Sequence, residues 1–160
     1  MAFEELTTQF EEVSLVYRNK TKAVDRPQIR SPQDAYEIFL KTWNKDQINL
    51  VEECKLLLLD RKLNVMSIAE ISKGGYSATI VDPKIIFSIA LKRRAHRLIL
   101  AHNHPTGNLN PSECDIKITE DIYYVGKRLS LPLDDHLIIT DNGFTSLLEN
   151  GDLKYDPTPF

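Results

Sequence analysis

Hydrophobic and polar positions follow two periods along the chain, one typical of strands and the other of helices. Short apolar runs of strand length, bounded by turn residues, occupy residues 52–60, 64–72, 97–102 and 136–140. A polar turn joins the first two runs, which predicts an antiparallel pair. Residues 144–148 follow an Asn-Gly turn signal and suit a returning strand.

Three other segments carry apolar residues at helical spacing, and we predict helices over residues 31–44, 82–95 and 112–129. Each begins with a serine or aspartate that can cap the first turn, and in the first two a proline follows directly. Strands and helices that alternate around one sheet predict an α/β or α+β domain, with a mixed central sheet flanked by helices in three layers.

We divide the chain into two parts. Residues 1–48 are predicted to form an N-terminal extension, made of a strand at residues 12–18, a loop and the first helix, that packs on the domain. Residues 49–160 are predicted to form the domain itself, because the alternating strands and helices begin there.

The composition is that of a globular domain that does not need disulfide bonds to fold. Of 160 residues, 42% are hydrophobic and 27% are charged, which excludes disordered, fibrous and disulfide-scaffold proteins. Twenty Lys and Arg against 23 Asp and Glu give a net charge of −3, so any contact with nucleic acid would need a local patch such as residues 92–97. With no signal-peptide pattern and no membrane-length apolar run, we expect a cytoplasmic protein whose two cysteines are free thiols.

The segment His102-Asn103-His104-Pro105, followed by Ser112 and Asp115, carries the candidate chemistry. Residues i and i+2 of an extended segment point to the same side, so the two imidazoles can reach one point. Asp115 returns in the first turn of the next helix. Two imidazoles and one carboxylate match a catalytic zinc site, which keeps a fourth position for water. A serine and an acid three residues apart also suit a helix cap, so the spacing alone leaves a structural role open for both.

The stretch HNHPTGNLNPSECD resembles the JAMM metalloprotease motif, in the form typical of bacterial RadC-like JAB domains. The similarity extends over about residues 52–153 and includes EECKLLLLD, VDPKIIFSIAL, LILAHNHP and LDDHLIIT. It implies a JAB/MPN fold, which has the three-layer architecture of cytidine-deaminase-like domains. The short N-terminal part is similar to that of JAB proteins on bacterial mobile elements.

The resemblance also implies the roles of individual residues. One Zn²⁺ per chain would be held by His102, His104 and Asp115. Ser112 matches the motif serine, which would hydrogen-bond the oxyanion that develops beside the zinc.

The family pattern also has a glutamate that activates the metal-bound water as a general base, eight residues before the aspartate that stands here at Asp60. That position is Glu52, and the adjacent Glu53 is the alternative. Alternation along a strand places the two on opposite faces, so only one can reach the metal. Cys54 stands where the family has an aromatic residue, on the same face as Glu52, and is expected to be a core residue rather than a fourth ligand. Cys114 is also expected to pack.

The resemblance implies a zinc-dependent hydrolase, a peptidase or isopeptidase that acts on a protein or peptide and has a family link to DNA repair or mobile elements. A second hypothesis is a non-catalytic JAB-fold module that binds protein or DNA partners, and a zinc nuclease is a third. The complete ligand set favours the enzyme. His136, in the family's LDH segment, is expected to support the site rather than bind the metal.

Overall fold

The computed structural model describes residues 25–74 and 81–152. Its helices and strands, numbered here in chain order, are α1 Pro32–Thr42, β1 Glu53–Leu59, β2 Val65–Lys73, α2 Pro83–Arg93, β3 Arg97–Asn103, α3 Glu113–Arg128, β4 Leu133–Thr140 and β5 Gly143–Ser146. Each strand and helix predicted within the described residues is therefore present. The strand predicted at residues 12–18 lies outside them.

The five strands form one sheet in the order β2-β1-β3-β4-β5. Neighbouring strands are antiparallel except β3 and β4, which run parallel and are connected through α3. A parallel pair needs such a crossover, because a tight hairpin can join only antiparallel strands. The predicted mixed sheet and the antiparallel pairing of β1 with β2 are confirmed.

Alternation along β1 sends its side chains into two separate cores. Cys54, Leu56 and Leu58 pack in the core that α2 and α3 cover. Leu57 and Leu59 pack in the opposite core, which α1 covers. Every residue of β1 is buried, as expected of a central strand with helices on both faces. The predicted three-layer arrangement is therefore confirmed.

Most element boundaries differ from the predicted ones by one to three residues, and two of these differences have a clear physical reason. Helix α2 ends at Arg93 because Arg94 has a φ of 53°, a left-handed conformation that stops the helix before Ala95. Strand β4 begins at Leu133, three residues earlier than predicted, and its second and third residues are acidic. Asp134 and Asp135 obscured the strand in the sequence, and both are held there by partners: Asp134 by an ion pair with Arg97, and Asp135 by a hydrogen bond from a buried serine.

Helix α1, from the predicted N-terminal extension, packs on the sheet through Ala35, Tyr36 and Phe39. Its first turn is held by a capping box between Ser31 and Asp34. The domain boundary placed after residue 48 stays a prediction. Within residues 25–74 and 81–152, no helix has the length and apolar character needed to cross a membrane.

Candidate metal centre

Three side chains from two elements converge at one end of the sheet. His102 lies near the end of β3, His104 follows that strand, and Asp115 lies in the first turn of α3. His102 Nε2 is 2.9 Å from His104 Nε2 and 3.1 Å from Asp115 Oδ1. His104 Nε2 is 3.5 Å from Asp115 Oδ2. The structure therefore brings the three predicted ligands together, with one ligand atom of each within 4.8 Å of the others, and these residues could hold a metal ion.

The histidine rings are oriented by their other nitrogens. His104 Nδ1 lies 2.6 Å from the carbonyl oxygen of Asn108, which can only accept, so Nδ1 carries the hydrogen. His104 Nε2 is then free of hydrogen in the neutral ring and can donate its lone pair. A ligand histidine held by a backbone carbonyl in this way is typical of metal sites.

The charges in the cluster stabilise each other. Burial alone would raise the pKa of Asp115, but the rings of His102 and His104, which donate to the carboxylate when they are protonated, outweigh burial and hold that pKa far below its usual range. The protonated ring of His104 can donate from Nε2 to Asp115, and this raises the pKa of His104. Asp115 is consequently an anion at neutral pH, the form in which a carboxylate binds metals.

Ser112 is the N-cap of α3. Its Oγ accepts a hydrogen bond from the Asp115 backbone amide at 3.2 Å, and the Asp115 carboxylate accepts from the Ser112 backbone amide at 2.7 Å. Ser112 Oγ is also 2.6 Å from Asp115 Oδ2, so the hydroxyl donates to the carboxylate. The capping role considered from the spacing is thus present, and it fixes the carboxylate of a candidate ligand.

Glu52 and Glu53 face different sides of the sheet. Glu52 lines a cavity of about 160 Å³ together with His102 and Asp115. Glu53 is buried in the opposite layer, where its carboxylate lies 3.4 Å from Lys55 Nζ and 2.9 Å from Lys73 Nζ. Of the two acids, the structure therefore places Glu52 beside the three candidate metal ligands.

The two cysteines have different surroundings, and both are free. Cys54 is fully buried, and burial raises the pKa of its thiol well above the usual range. It is a core residue, as predicted. Cys114 is exposed and lines the same cavity as Glu52. The prediction that Cys114 packs in the interior was wrong, because it falls on the solvent side of the first turn of α3.

No role was predicted for Asn103 from the sequence, and its side chain connects β3 to the segment that leads into Glu52. Its side chain points into the α1 layer, opposite to its neighbours in the motif, and is fully buried. Asn103 Oδ1 accepts from the Glu53 backbone amide and from the Trp43 indole, while Nδ2 donates to the carbonyls of Ile48 and Val51. These bonds hold the segment that leads into Glu52 against β3. The available signal was a polar residue at an apolar position of a buried strand.

His136 contacts the site from β4. Its Nε2 lies 2.8 Å from His102 Nδ1, and its Nδ1 lies 2.6 Å from Thr119 Oγ1. Burial, and then the proximity of His102, lower the pKa of His136 well below its usual value. Thr119 was missed in the sequence, although its position four residues after Asp115 places both on one face of α3.

The basic cluster at residues 92–97 serves the fold in at least two of its members. Arg93 Nε lies 3.0 Å from Ser67 Oγ, and an Arg93 NH₂ group lies 3.2 Å from the Met66 carbonyl oxygen. Arg97 forms two hydrogen bonds of 2.6 Å with Asp134. These guanidinium groups therefore tie α2 to β2 and β3 to β4.

Several bacterial proteins are similar to this chain. It is 44% identical over 100 residues to a UPF0758 protein of Flavobacterium johnsoniae, covering 62% of the chain and 44% of the relative. It is 39% identical over 137 residues to a UPF0758 protein of Clostridium perfringens, covering 84% and 58%. A UPF0758 protein of Staphylococcus epidermidis is 38% identical over 133 residues, covering 83% and 58%. The chain spans about half the length of these relatives.

The family model of the RadC-like JAB domain matches residues 29–152. That range contains the whole described sheet, its three helices, the candidate ligands and the cavity beside them. UPF0758 proteins, to which the similar chains belong, are members of the same family. The resemblance found in the motif is thereby confirmed: the chain belongs to the RadC-like JAB domain family.

Proposed function

We propose that this protein is a zinc-dependent hydrolase that cleaves an amide bond, a peptide or isopeptide bond, in a protein or peptide substrate. The observation that carries the proposal is the convergence of His102, His104 and Asp115 beside Glu52. Two nitrogens and one carboxylate oxygen are the donor set of many catalytic zinc sites.

The spacing of the donor atoms suits zinc. Bonds of about 2.0–2.2 Å in a tetrahedral arrangement separate the ligand atoms by roughly 3.3 Å. The two Nε2 atoms are 2.9 Å apart, His102 Nε2 is 3.1 Å from Asp115 Oδ1, and His104 Nε2 is 3.5 Å from the other carboxylate oxygen, Oδ2. Three protein ligands leave one position open, which distinguishes a catalytic from a structural site.

The roles of the surrounding residues follow from their positions. Zinc, when bound, supplies a Lewis acid that polarises the substrate carbonyl and makes hydroxide available near neutral pH. The Glu52 carboxylate, in the same cavity, takes the proton of the attacking water and returns it to the leaving amine. The Ser112 hydroxyl, at the N-terminus of α3, is the candidate hydrogen-bond donor to the developing oxyanion. To donate to the oxyanion, the hydroxyl has to turn away from Asp115.

Metal content is the first test. Protein purified without a histidine tag should contain about one zinc per chain by plasma mass spectrometry. His102→Ala and Asp115→Ala should lose it. A wild-type protein that stays metal-free after zinc is supplied would refute the proposal, and the binding-module hypothesis would then replace it.

Activity is the second test, on a panel of peptide and isopeptide substrates. Glu52→Gln should keep its zinc but lower the rate by about 10²–10⁴-fold, since general-base assistance is lost. Glu53→Gln is the matched control, because the adjacent carboxylate faces the other layer. Its rate should match the wild type once the folded fraction has been checked by circular dichroism. Equal rates for Glu52→Gln and the wild type would exclude Glu52 as the base.

A further inference from the structure

A chain of hydrogen bonds leads from the backbone of one candidate ligand to the ring of another. Thr119 Oγ1 lies 2.5 Å from the carbonyl oxygen of Asp115 and 2.6 Å from His136 Nδ1. His136 Nε2 lies 2.8 Å from His102 Nδ1. Thr119, His136 and His102, here called the relay, are each no more than 3% exposed.

The chemistry of the groups fixes the direction of the relay. A carbonyl oxygen only accepts, so the single hydroxyl hydrogen of Thr119 is donated to Asp115. Thr119 Oγ1 can then only accept from His136 Nδ1–H. A buried imidazole is far cheaper as the neutral form, which has one N–H. His136 Nε2 is therefore the acceptor, and His102 Nδ1–H is the donor.

We propose that Thr119 and His136 are positioning residues that set the tautomer of His102, so that its bare Nε2 faces the candidate metal centre. This inference rests on the proposed function, which makes His102 a zinc ligand. The opposite tautomer carries hydrogen on Nε2, so the nitrogen that faces the candidate metal centre has no lone pair for a metal. The relay thus selects the binding-competent form of the ring before a metal arrives, and it anchors that form to the backbone of the third ligand.

Nuclear magnetic resonance tests the relay without any metal or substrate. Long-range proton–nitrogen correlation spectra of chelator-treated, histidine-labelled protein distinguish a protonated ring nitrogen from a bare one. His102 and His136 should both carry hydrogen on Nδ1 at neutral pH. In Thr119→Val the end of the relay is lost, so the His102 ring should show a mixture of both forms. A wild-type His102 whose Nδ1 carries no hydrogen would overturn the proposal.

Zinc affinity, measured by competition with a chromophoric chelator, tests the consequence. His136→Leu removes the acceptor and should weaken zinc binding by about 10–100-fold, as loss of outer-shell partners typically does. His136→Gln keeps an amide oxygen as acceptor and should recover part of that loss. Thr119→Val should weaken binding, whereas Thr140→Val, a buried threonine that hydrogen-bonds Gly143 instead, should not.

The outcomes separate the relay from the proposed function. Zinc binding in His136→Leu as tight as in the wild type would overturn the relay and leave the zinc site standing. A wild type that binds no zinc would refute the proposed function, and the spectra would still decide whether the relay sets the His102 tautomer. If His136→Leu fails to fold, Thr119→Val against Thr140→Val gives the same comparison.

Discussion

Replacing Asn103 with leucine, which keeps the branched shape but has no polar atoms, should lower the free energy of unfolding by about 4 kcal/mol. The Asn103 amide uses both donors and both acceptor positions, at distances of 2.6 to 3.2 Å. Leucine would leave two carbonyls, one backbone amide and one indole N–H without partners in a buried place.

Each such buried orphan costs about 1–3 kcal/mol, so the four together cost at least about 4 kcal/mol if none reaches water. We expect the lower end of this range for each group, because residues 44–52, the segment that Asn103 holds against β3, lie near the surface and can move toward solvent. That movement would expose the segment leading into Glu52. We therefore expect faster amide exchange of residues 44–53 in Asn103→Leu than in the wild type.

Urea denaturation followed by circular dichroism measures the loss, with the midpoint shifting and the slope unchanged. Asn49→Leu is the matched control, since Asn49 is exposed and makes one hydrogen bond, to Asp141. It should change stability by no more than about 0.5 kcal/mol. A loss below about 1 kcal/mol in Asn103→Leu would refute the role of Asn103 in holding residues 44–52 against β3, because even one buried polar group left without a partner costs that much.

Three further predictions concern other parts of the fold. Burial raises the pKa of Asp60, but hydrogen bonds in the β1–β2 turn lower it overall, so Asp60 stabilises the fold above about pH 4 and progressively less below it. In urea titrations, Asp60→Ala should lower the free energy of unfolding by about 1–2 kcal/mol at neutral pH. A loss that does not become smaller in acid would contradict this prediction. Gly126→Ala should destabilise despite the better helix propensity of alanine, because its Cβ would press on the Leu131 carbonyl oxygen; an increase in Tm would disprove the clash. A thiol reagent should modify Cys114 at once and Cys54 only in urea, since burial raises the pKa of Cys54; two fast thiols in the native protein would be inconsistent with the fold.

The elements that could be predicted are those whose signal is local. Apolar runs and capping residues gave the strands and helices within one to three residues, because both periods and caps are properties of short segments. The start of β4 was missed since Asp134 and Asp135 are polar, and only the tertiary partners Arg97 and Ser146 explain their place in a strand.

The candidate site shows the same division. The motif spacing was enough to bring His102, His104 and Asp115 together, because a strand end and the next helix start are close in chain order. The contacts of Asn103 and Thr119 join segments that are far apart or faces that only the assembled sheet defines. A single sequence contains no pairing information of that kind, so these residues could not be assigned a role from it.

The carboxylate of Asp115 belongs to two structures at once, the first turn of α3 and the candidate metal centre. Its Oδ2 is held by Ser112 while its Oδ1 faces His102. The conformational entropy of ordering this ligand is consequently lost when the chain folds, and metal capture does not incur it again. Unlike a zinc finger, which unfolds when its ion is removed, this domain should keep its fold in chelator and bind the ion as a preorganised receptor.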